Sequence, residues 1–542
     1  MVGSLADEQA GLVRLQAAAV LAVVLGAHLS LAPAVASVDA FYHLGHAAQY
    51  RQGGIFDTSF PWGTASIIGD LGGDLWWGFH VLLVPFTLFA GVTDGIRVAA
   101  FLFTLIFAAA AWWVLRRHAV PGAGWWTALL LVAVPNVLYR FLMVRPHVLS
   151  LALALLLLSF LVRGRWWHLL LFSAAMTWLH VSLFWMAPGV VGAYVLARSI
   201  GGRIEDDPGV PVVPAVAAVA AGTVLGGLLR PHPMATAELA YVQIVRLFAE
   251  KGTDRPLLFA TELLPLGVGD LLRSSGSFLL LLFAALVGAW VWRKGEARGA
   301  GGDPLPPPER RLLLAAALIA GVFLALTLLS ARRALVEMVV FGFLVLPLVW
   351  AFILPAGVRR RSVIPLVLLL VAHLGWAGQR HLPNARLVAF PPDAMAEVGA
   401  WLTRNAAPGD VVFHAHWDDF GPLFARNRQV RYLGGMDPIF QYAHDPGRYW
   451  EHFFLSGDLV VEYTCDAFPC YEGTATETWA AIRDHFHARW VVLEPARNPK
   501  LTAYLLQSPG FSLVLETRRE AVFRVLDAPV VTDLVPGDGG AG

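Results

Sequence analysis

The sequence predicts a polytopic α-helical membrane protein followed by a small external α/β domain. Three observations lead there. Hydrophobic residues make up 57% of the 542, charged residues only 15%, and mean hydropathy is +0.61, whereas soluble domains carry about a quarter charged residues. The apolar residues are gathered in long runs separated by short arginine-rich punctuation. From about residue 384 the pattern changes to short apolar strands alternating with helical stretches, as in an α/β domain. A formal net charge of +1 points away from a nucleic-acid partner.

Candidate spans are 11–33, 96–115, 122–141, 146–162, 166–180, 183–198, 211–229, 277–292, 312–331, 334–354 and 362–379. Each is near the roughly 20 apolar residues that cross a bilayer. That gives about 11 spans, or 12 or 13 if marginal stretches such as 76–92 are admitted. The first segment ends in Ala-Val-Ala-Ser, which resembles a signal cleavage site, but the segment is long for a signal and is read as retained.

With the amino terminus inside, Arg116-Arg117, Arg163 with Arg165, Arg198 with Arg203, Arg293-Lys294 through Arg310-Arg311, and Arg359 to Arg361 fall on one face. The opposite short connections carry chiefly Arg140, Arg145, Arg332 and Arg333. The richer face is cytoplasmic by the positive-inside rule. Counting 76–92 as a span would invert this bias, so it is expected to be re-entrant or interfacial. The expected organisation is a membrane domain over 1–383 with external loops at about 34–95 and 230–276, an external domain over 384–533, and a glycine-rich tail at 534–542. Residues 295–309 read as a Gly/Pro linker.

In the external domain, helical patterns cover 394–405, 476–486 and a stretch from Asn498; strands cover 411–413 and 490–493; a hairpin covers 511–526. The chain's two cysteines, Cys465 and Cys470, both lie there. A Cys-x4-Cys pair in an oxidising space fits a local disulfide, with two unpaired thiols as the alternative.

The first external loop opens on Asp39-Ala-Phe-Tyr-His43. A carboxylate at head-group depth is costly, and so a functional candidate. Residues 44–54 read as an amphipathic helix ending on Gly53 and Gly54. Asp39, His43 and His46 would share one helical face, although Asp39 is also a good N-cap. His43 and His46 are expected to line a wall or hydrogen-bond locally rather than hold metal.

Acid, aromatic pair, histidine and helix at the mouth of a first external loop resemble the GT-C membrane glycosyltransferases, and within them the catalytic subunit of oligosaccharyltransferase. The resemblance implies a GT-C-like bundle that takes a sugar from a polyprenyl-linked donor in the bilayer and passes it to a protein, glycan or lipid acceptor. It also implies a bacterial inner-membrane location with the C-terminal domain outside. Asp39 would be base or metal ligand. Where oligosaccharyltransferases carry a second acidic motif, this chain has Arg145 and His147. That favours a cation facing phosphate over a cage for a hard metal, which wants oxygen ligands. No cofactor is assigned; Mg or Mn are the ions that Asp39 and Glu262 would take. Phe259-Ala-Thr261-Glu262 resembles the family's Thr/Ser-x-x-Glu loop motif, with Thr and Glu adjacent, and Glu262 would assist catalysis. Arg332 and Arg333 suit a lipid phosphate by bidentate contact. His180 joins His43 as a cavity-wall residue. His416-Trp417-Asp418-Asp419-Phe420-Gly421 resembles the Trp-Trp-Asp-Tyr-Gly acceptor motif with one residue inserted, making Trp417, Asp418 and Gly421 acceptor-binding candidates.

The expected activity is therefore an inverting sugar transfer, since no second carboxylate offers a covalent nucleophile. Two rival readings are en bloc oligosaccharide transfer to protein and a non-enzymatic lipid-linked-sugar transporter. Transporters place polar groups near the midplane, whereas the ionisable residues here gather at external ends and loops.

Overall fold

The computed structural model describes residues 2–201, 208–255, 257–297, 305–354 and 356–528. Arg203, the middle of the 295–309 linker and the 534–542 tail lie outside them. The chain forms two compact units.

The first unit comprises Met1–Thr58, Gly73–Ala240 and Phe259–Pro392, and is a helical bundle. Among the described residues, seven helices are long and apolar enough to cross a membrane, or up to nine if each of two bent pairs is one span. The expected 11 included runs that prolines shorten. Pro135 and Pro146 hold Val134 and Arg145 in extended conformations and each opens a new helix, because the residue before proline is pushed out of the helical region. The apolar stretch thus becomes Ala123–Val132, Pro135–Phe141 and Pro146–Val162, the last two meeting at 106°. Residues 76–92 give a short helix, Trp77–Leu83, tightening into a 3-10 turn over Val84–Leu88, too short to span. The helix predicted to end at 379 runs on to Val388.

The arginine-rich connections converge. His118 Nδ1 lies 3.0 Å and Arg163 Nη2 2.7 Å from Glu309 Oε1, and His118 Nε2 is 3.0 Å from Ser159 Oγ. A buried carboxylate so partnered ties three helix ends at one end of the bundle. The helix Val212–Leu228 packs on Trp166–Leu179 through small residues. A Cβ on Gly222 would stand 2.1 Å from Ser173 Oγ, and one on Gly226 2.2 Å from the Ala174 carbonyl. Glycines four apart let two membrane helices approach at backbone distance.

The second unit comprises Ser59–Gly72, Tyr241–Leu258 and Asp393–Gly542, so the C-terminal domain takes in pieces of both long loops. Its strands are β1 (Val411–His414), β2 (Arg431–Tyr432), β3 (Tyr463–Thr464), β4 (Thr476–Glu477), β5 (Ala488–Leu493), β6 (Phe511–Glu516) and β7 (Ala521–Val525). The main sheet has the order β2-β1-β5-β7-β6. β1 is parallel to β2 and β5, and β7 is antiparallel to β5 and β6. Phe413, Val491, Leu493, Leu501 and Phe523 are buried in its core. Loop residues 62–65 cover the edge beyond β2: Tyr432 donates to the Trp62 carbonyl at 2.8 Å, and Ala65 donates to Leu433 at 2.7 Å. Pairing an edge strand in this way removes a template for aggregation. The helix expected over 476–486 begins as β4, and only then turns helical at Thr478–Ala480 and Ala481–His485. Cys465 and Cys470 are joined in a disulfide.

Two predictions follow from packing. Gly222→Val with Gly226→Val overpacks the helix pair, at a cost of about 1–3 kcal/mol per site, and lowers the melting temperature in detergent. Gly227→Ala, with nothing within 4 Å of its Cβ, leaves the melting temperature unchanged. In the second unit, burial depresses His414 to about 3 and His452 to about 4. His452 Nε2 donates to the His414 carbonyl at 3.0 Å. As pH falls from about 6.5 toward 4 the unfolded chain gains a proton at each site that the folded chain lacks. Stability is therefore lost on acidification, on the order of 1 kcal/mol per pH unit per histidine. Urea unfolding of the full chain followed by tryptophan fluorescence at pH 7 and pH 5 measures this, and His452→Gln should flatten the slope.

Candidate functional site

The helix Asp39–Gly53 forms as the sequence suggests and ends where Gly54 adopts φ +98°, a conformation open to glycine. Asp39 is its first residue, not its cap. Val38 occupies the cap position, and the Asp39 carboxylate turns instead to the Arg145 guanidinium. The extended backbone that Pro146 imposes on Arg145 leaves that side chain projecting from the corner between two helices.

Arg145 is the hub. Its Nη2 pairs with Asp39 Oδ2, its Nε donates to Ser37 Oγ at 3.2 Å, and its Nη1 donates to Glu262 Oε1 and Oε2 at 2.8 and 3.0 Å. Arg140 Nη1 donates to Glu262 Oε2 at 2.5 Å. Glu262 sits in a 3-10 turn, Thr261–Leu263, whose flank is pinned by Leu266 donating to the Thr327 carbonyl and Arg332 donating to the Leu264 carbonyl. Burial by itself would raise the Glu262 carboxyl, but Arg140, Arg145 and Arg333 together hold it well below the usual carboxylate range. Burial likewise opposes charge on Arg145, and Asp39 and Glu262 override it, raising the guanidinium above its ordinary value. All four side chains stay partly accessible, at 13% for Asp39 and Arg140, 20% for Arg145 and 24% for Glu262.

The structure thus brings Asp39, Arg145 and Glu262 together, and Arg333 acts on Glu262 electrostatically. The Arg332 side chain is exposed and donates to the Pro265 carbonyl at 3.5 Å. His147, on the first turn of Pro146–Val162, lies within electrostatic reach of Arg140, Arg145 and Glu262. His180 ends the helix Trp166–Leu179 with Nδ1 3.4 Å from Ser150 Oγ. The pair Asp39 and Glu262 does not suit a divalent metal, because a guanidinium stands between the two carboxylates where the ion would go. His43 is no open wall. It is 2% exposed, and its Nδ1 is 2.8 Å from His80 Nε2. In the second unit, Gly421 is buried within the helix Phe420–Arg426, so it is closed to an acceptor. Asp418, at the carboxyl end of β1, is paired with Arg497 at 3.0 Å, and Trp417 is half-buried.

Sequence reading missed Arg140 as a site residue, and missed a polar cluster behind the first-loop helix. Tyr50 donates to Asp74 Oδ2 at 2.7 Å, His80 Nδ1 lies 2.7 Å from the same oxygen, and Trp76 N–H donates to Asp74 Oδ1 at 2.9 Å. Arg230 binds the Asp74 carbonyl and donates to the Thr177 and Trp178 carbonyls at 3.1 and 2.9 Å. The available signal was an acid, Asp74, just before the apolar 76–92 stretch and a histidine, His80, inside it.

An apolar groove of about 320 Å³ runs between the first helix, Pro135–Phe141 and Val363–Val388, lined by Val23, Ala27, Leu31, Leu138, Leu142 and Leu382. Tyr139, also on its wall, donates to the Ala36 carbonyl at 2.5 Å, next to the arginines.

No protein-family model matches the chain, and no curated protein matches it. Among solved structures it is similar to ArnT from Cupriavidus metallidurans in the apo state, with TM-score 0.56 and 12% identity over 95% of this chain and 98% of that one. It is also similar to the same protein bound to undecaprenyl phosphate, with TM-score 0.54 and 14% identity over the same shares. The chain therefore shares the fold of ArnT, and it is a helical bundle with a C-terminal α/β domain, as its sequence predicts.

Removing one partner of the arginine–carboxylate cluster strands the others. Glu262→Ala should lower stability by roughly 1–3 kcal/mol, less than a fully buried pair because the groups remain partly hydrated. Arg140→Ala made in the Glu262→Ala background should cost less than Arg140→Ala alone, as a double-mutant cycle of melting temperatures reads out.

Proposed function

We propose that the chain is an integral-membrane glycosyltransferase that takes a sugar from a polyprenyl-phosphate-linked donor at the external face of a bacterial inner membrane. The observation that carries the reading is the Arg145 guanidinium held between Asp39 and Glu262. Arg140, Arg145 and Arg333 gather around Glu262, with Asp39 on Arg145 and Glu337 within electrostatic reach of Arg140 and Arg333, and guanidiniums so clustered can meet an arriving anion. The ArnT fold supports the same reading, since one ArnT structure holds undecaprenyl phosphate, and the apolar groove beside Tyr139 suits a polyprenyl chain.

In this mechanism the donor phosphate takes over guanidinium contacts of Arg145, with His147, Arg333 and Arg332 on the phosphate side. Asp39, released from Arg145, accepts the proton of the acceptor nucleophile as that atom attacks the anomeric carbon. The bond from the anomeric carbon to phosphate oxygen breaks, and its electron pair leaves on polyprenyl phosphate, whose growing charge the arginines meet. The product is inverted. Glu262 orients Arg140 and Arg145 and steadies them while donor is absent. Trp417 and Asp418 remain acceptor-side candidates; the sugar and the acceptor class are open to the chemistry of product analysis.

Asp39→Asn keeps the shape of the side chain and removes its basicity. It should reduce transfer in membranes supplied with lipid-linked donor by about 10²–10⁴-fold, in a protein that still folds and whose melting temperature falls only by the loss of the Arg145 ion pair. Turnover at the wild-type rate would overturn the assignment.

A further inference from the structure

We infer that His46, Asp74 and His80 form a buried site for a divalent transition metal of the zinc type, which fastens the first-loop helix to the short helix Trp77–Leu83. His46 Nε2, Asp74 Oδ2 and His80 Nδ1 all lie within 4.8 Å of one another. Asp74 Oδ2 is 2.7 Å from His80 Nδ1 and 3.9 Å from His46 Nε2. A tetrahedral centre with bonds of about 2.0–2.1 Å separates its ligand atoms by roughly 3.3 Å, between these two distances.

The donor set decides the class of ion. Two imidazoles and one carboxylate suit zinc and its first-row neighbours, whereas magnesium and calcium take oxygen. Each ligand is also braced through its other polar atom, the pattern that orients metal ligands. His46 Nδ1 is 3.1 Å from Tyr42 Oη, His80 Nε2 is 2.8 Å from His43 Nδ1, and Asp74 Oδ1 accepts from Trp76 N–H at 2.9 Å. The three ligands are 1%, 2% and 0% exposed, so the ion would be shielded from bulk solvent, with a water completing the tetrahedron at the fourth position. The sequence suggests a local hydrogen-bonding role for His46 rather than a metal; its Nδ1 meets Tyr42 Oη, and its Nε2 lies 3.9 Å from the Asp74 carboxylate.

The consequence is mechanical. His46 lies two helical turns from Asp39 on the same helix, so an ion bound there holds the helix that presents Asp39 to Arg145. The site stands on its own ligands and does not depend on the transferase reading.

The test uses the full chain without a polyhistidine tag, purified in detergent, stripped with EDTA, reloaded with zinc and desalted. Elemental analysis should find about one zinc per chain, and zinc should raise the melting temperature of the stripped protein by several degrees. His46→Gln and His80→Gln should lose the ion and the shift together. Cobalt added to the stripped wild type should give the visible absorption of a four-coordinate nitrogen–oxygen centre, a readout that survives even if a variant does not fold. A wild type that retains no stoichiometric zinc and shows no zinc-dependent shift overturns the proposal, as does wild-type stoichiometry in folded His46→Gln and His80→Gln chains.

Discussion

A single guanidinium organises the loop end of the bundle where Asp39 and Glu262 meet. Arg145 joins the start of the first-loop helix to the turn carrying Glu262, and does so from a corner that exists because proline follows it. Charges of opposite sign close to hydrocarbon are tolerable only when each is met by another. Here the two carboxylates and two arginines satisfy one another at a place where either kind alone would be expelled or neutralised. The geometry of the loops is in this sense set by charge as much as by apolar packing.

The same arrangement explains why acids near a membrane exit need not imply a metal. Two carboxylates paired with two arginines have their charge already balanced, and a ligand that carries its own negative charge can exchange with one member. The other polar centre of the same loop has a different character. Around Asp74 the partners are imidazoles, a phenol and backbone groups, a set without a permanent cation at the carboxylate itself. Two polar centres therefore meet one helix, one bound to guanidiniums and the other to imidazoles.

Much of the architecture was legible in the residues. Apolar run length gave the bundle, and the alternation after residue 384 gave β1, β5 and the β6–β7 hairpin nearly to the residue. Asp39 stood out because its surroundings make a charge expensive. Span number was less legible, since Pro135 and Pro146 sit inside stretches whose hydropathy alone looks continuous. The partners of Asp39 were named, but not their pairing, because Arg145 and Glu262 are 117 residues apart and only tertiary folding joins them. Asp74 and His80 were hidden for another reason. Each looks incidental beside an apolar segment, and their meaning comes from Tyr50 and His46, which approach from a different helix.

Residues 62–65 supply the outer neighbour of β2 although they precede it by more than 360 positions. The C-terminal domain is therefore not a module in the genetic sense. A gene fragment starting at residue 393 would encode a sheet lacking one border, and a shuffled or fused copy of that fragment would carry an open strand edge into its new host. Recombination within this architecture should respect the loop as well as the tail, so the two segments are expected to travel through descent as one inheritance.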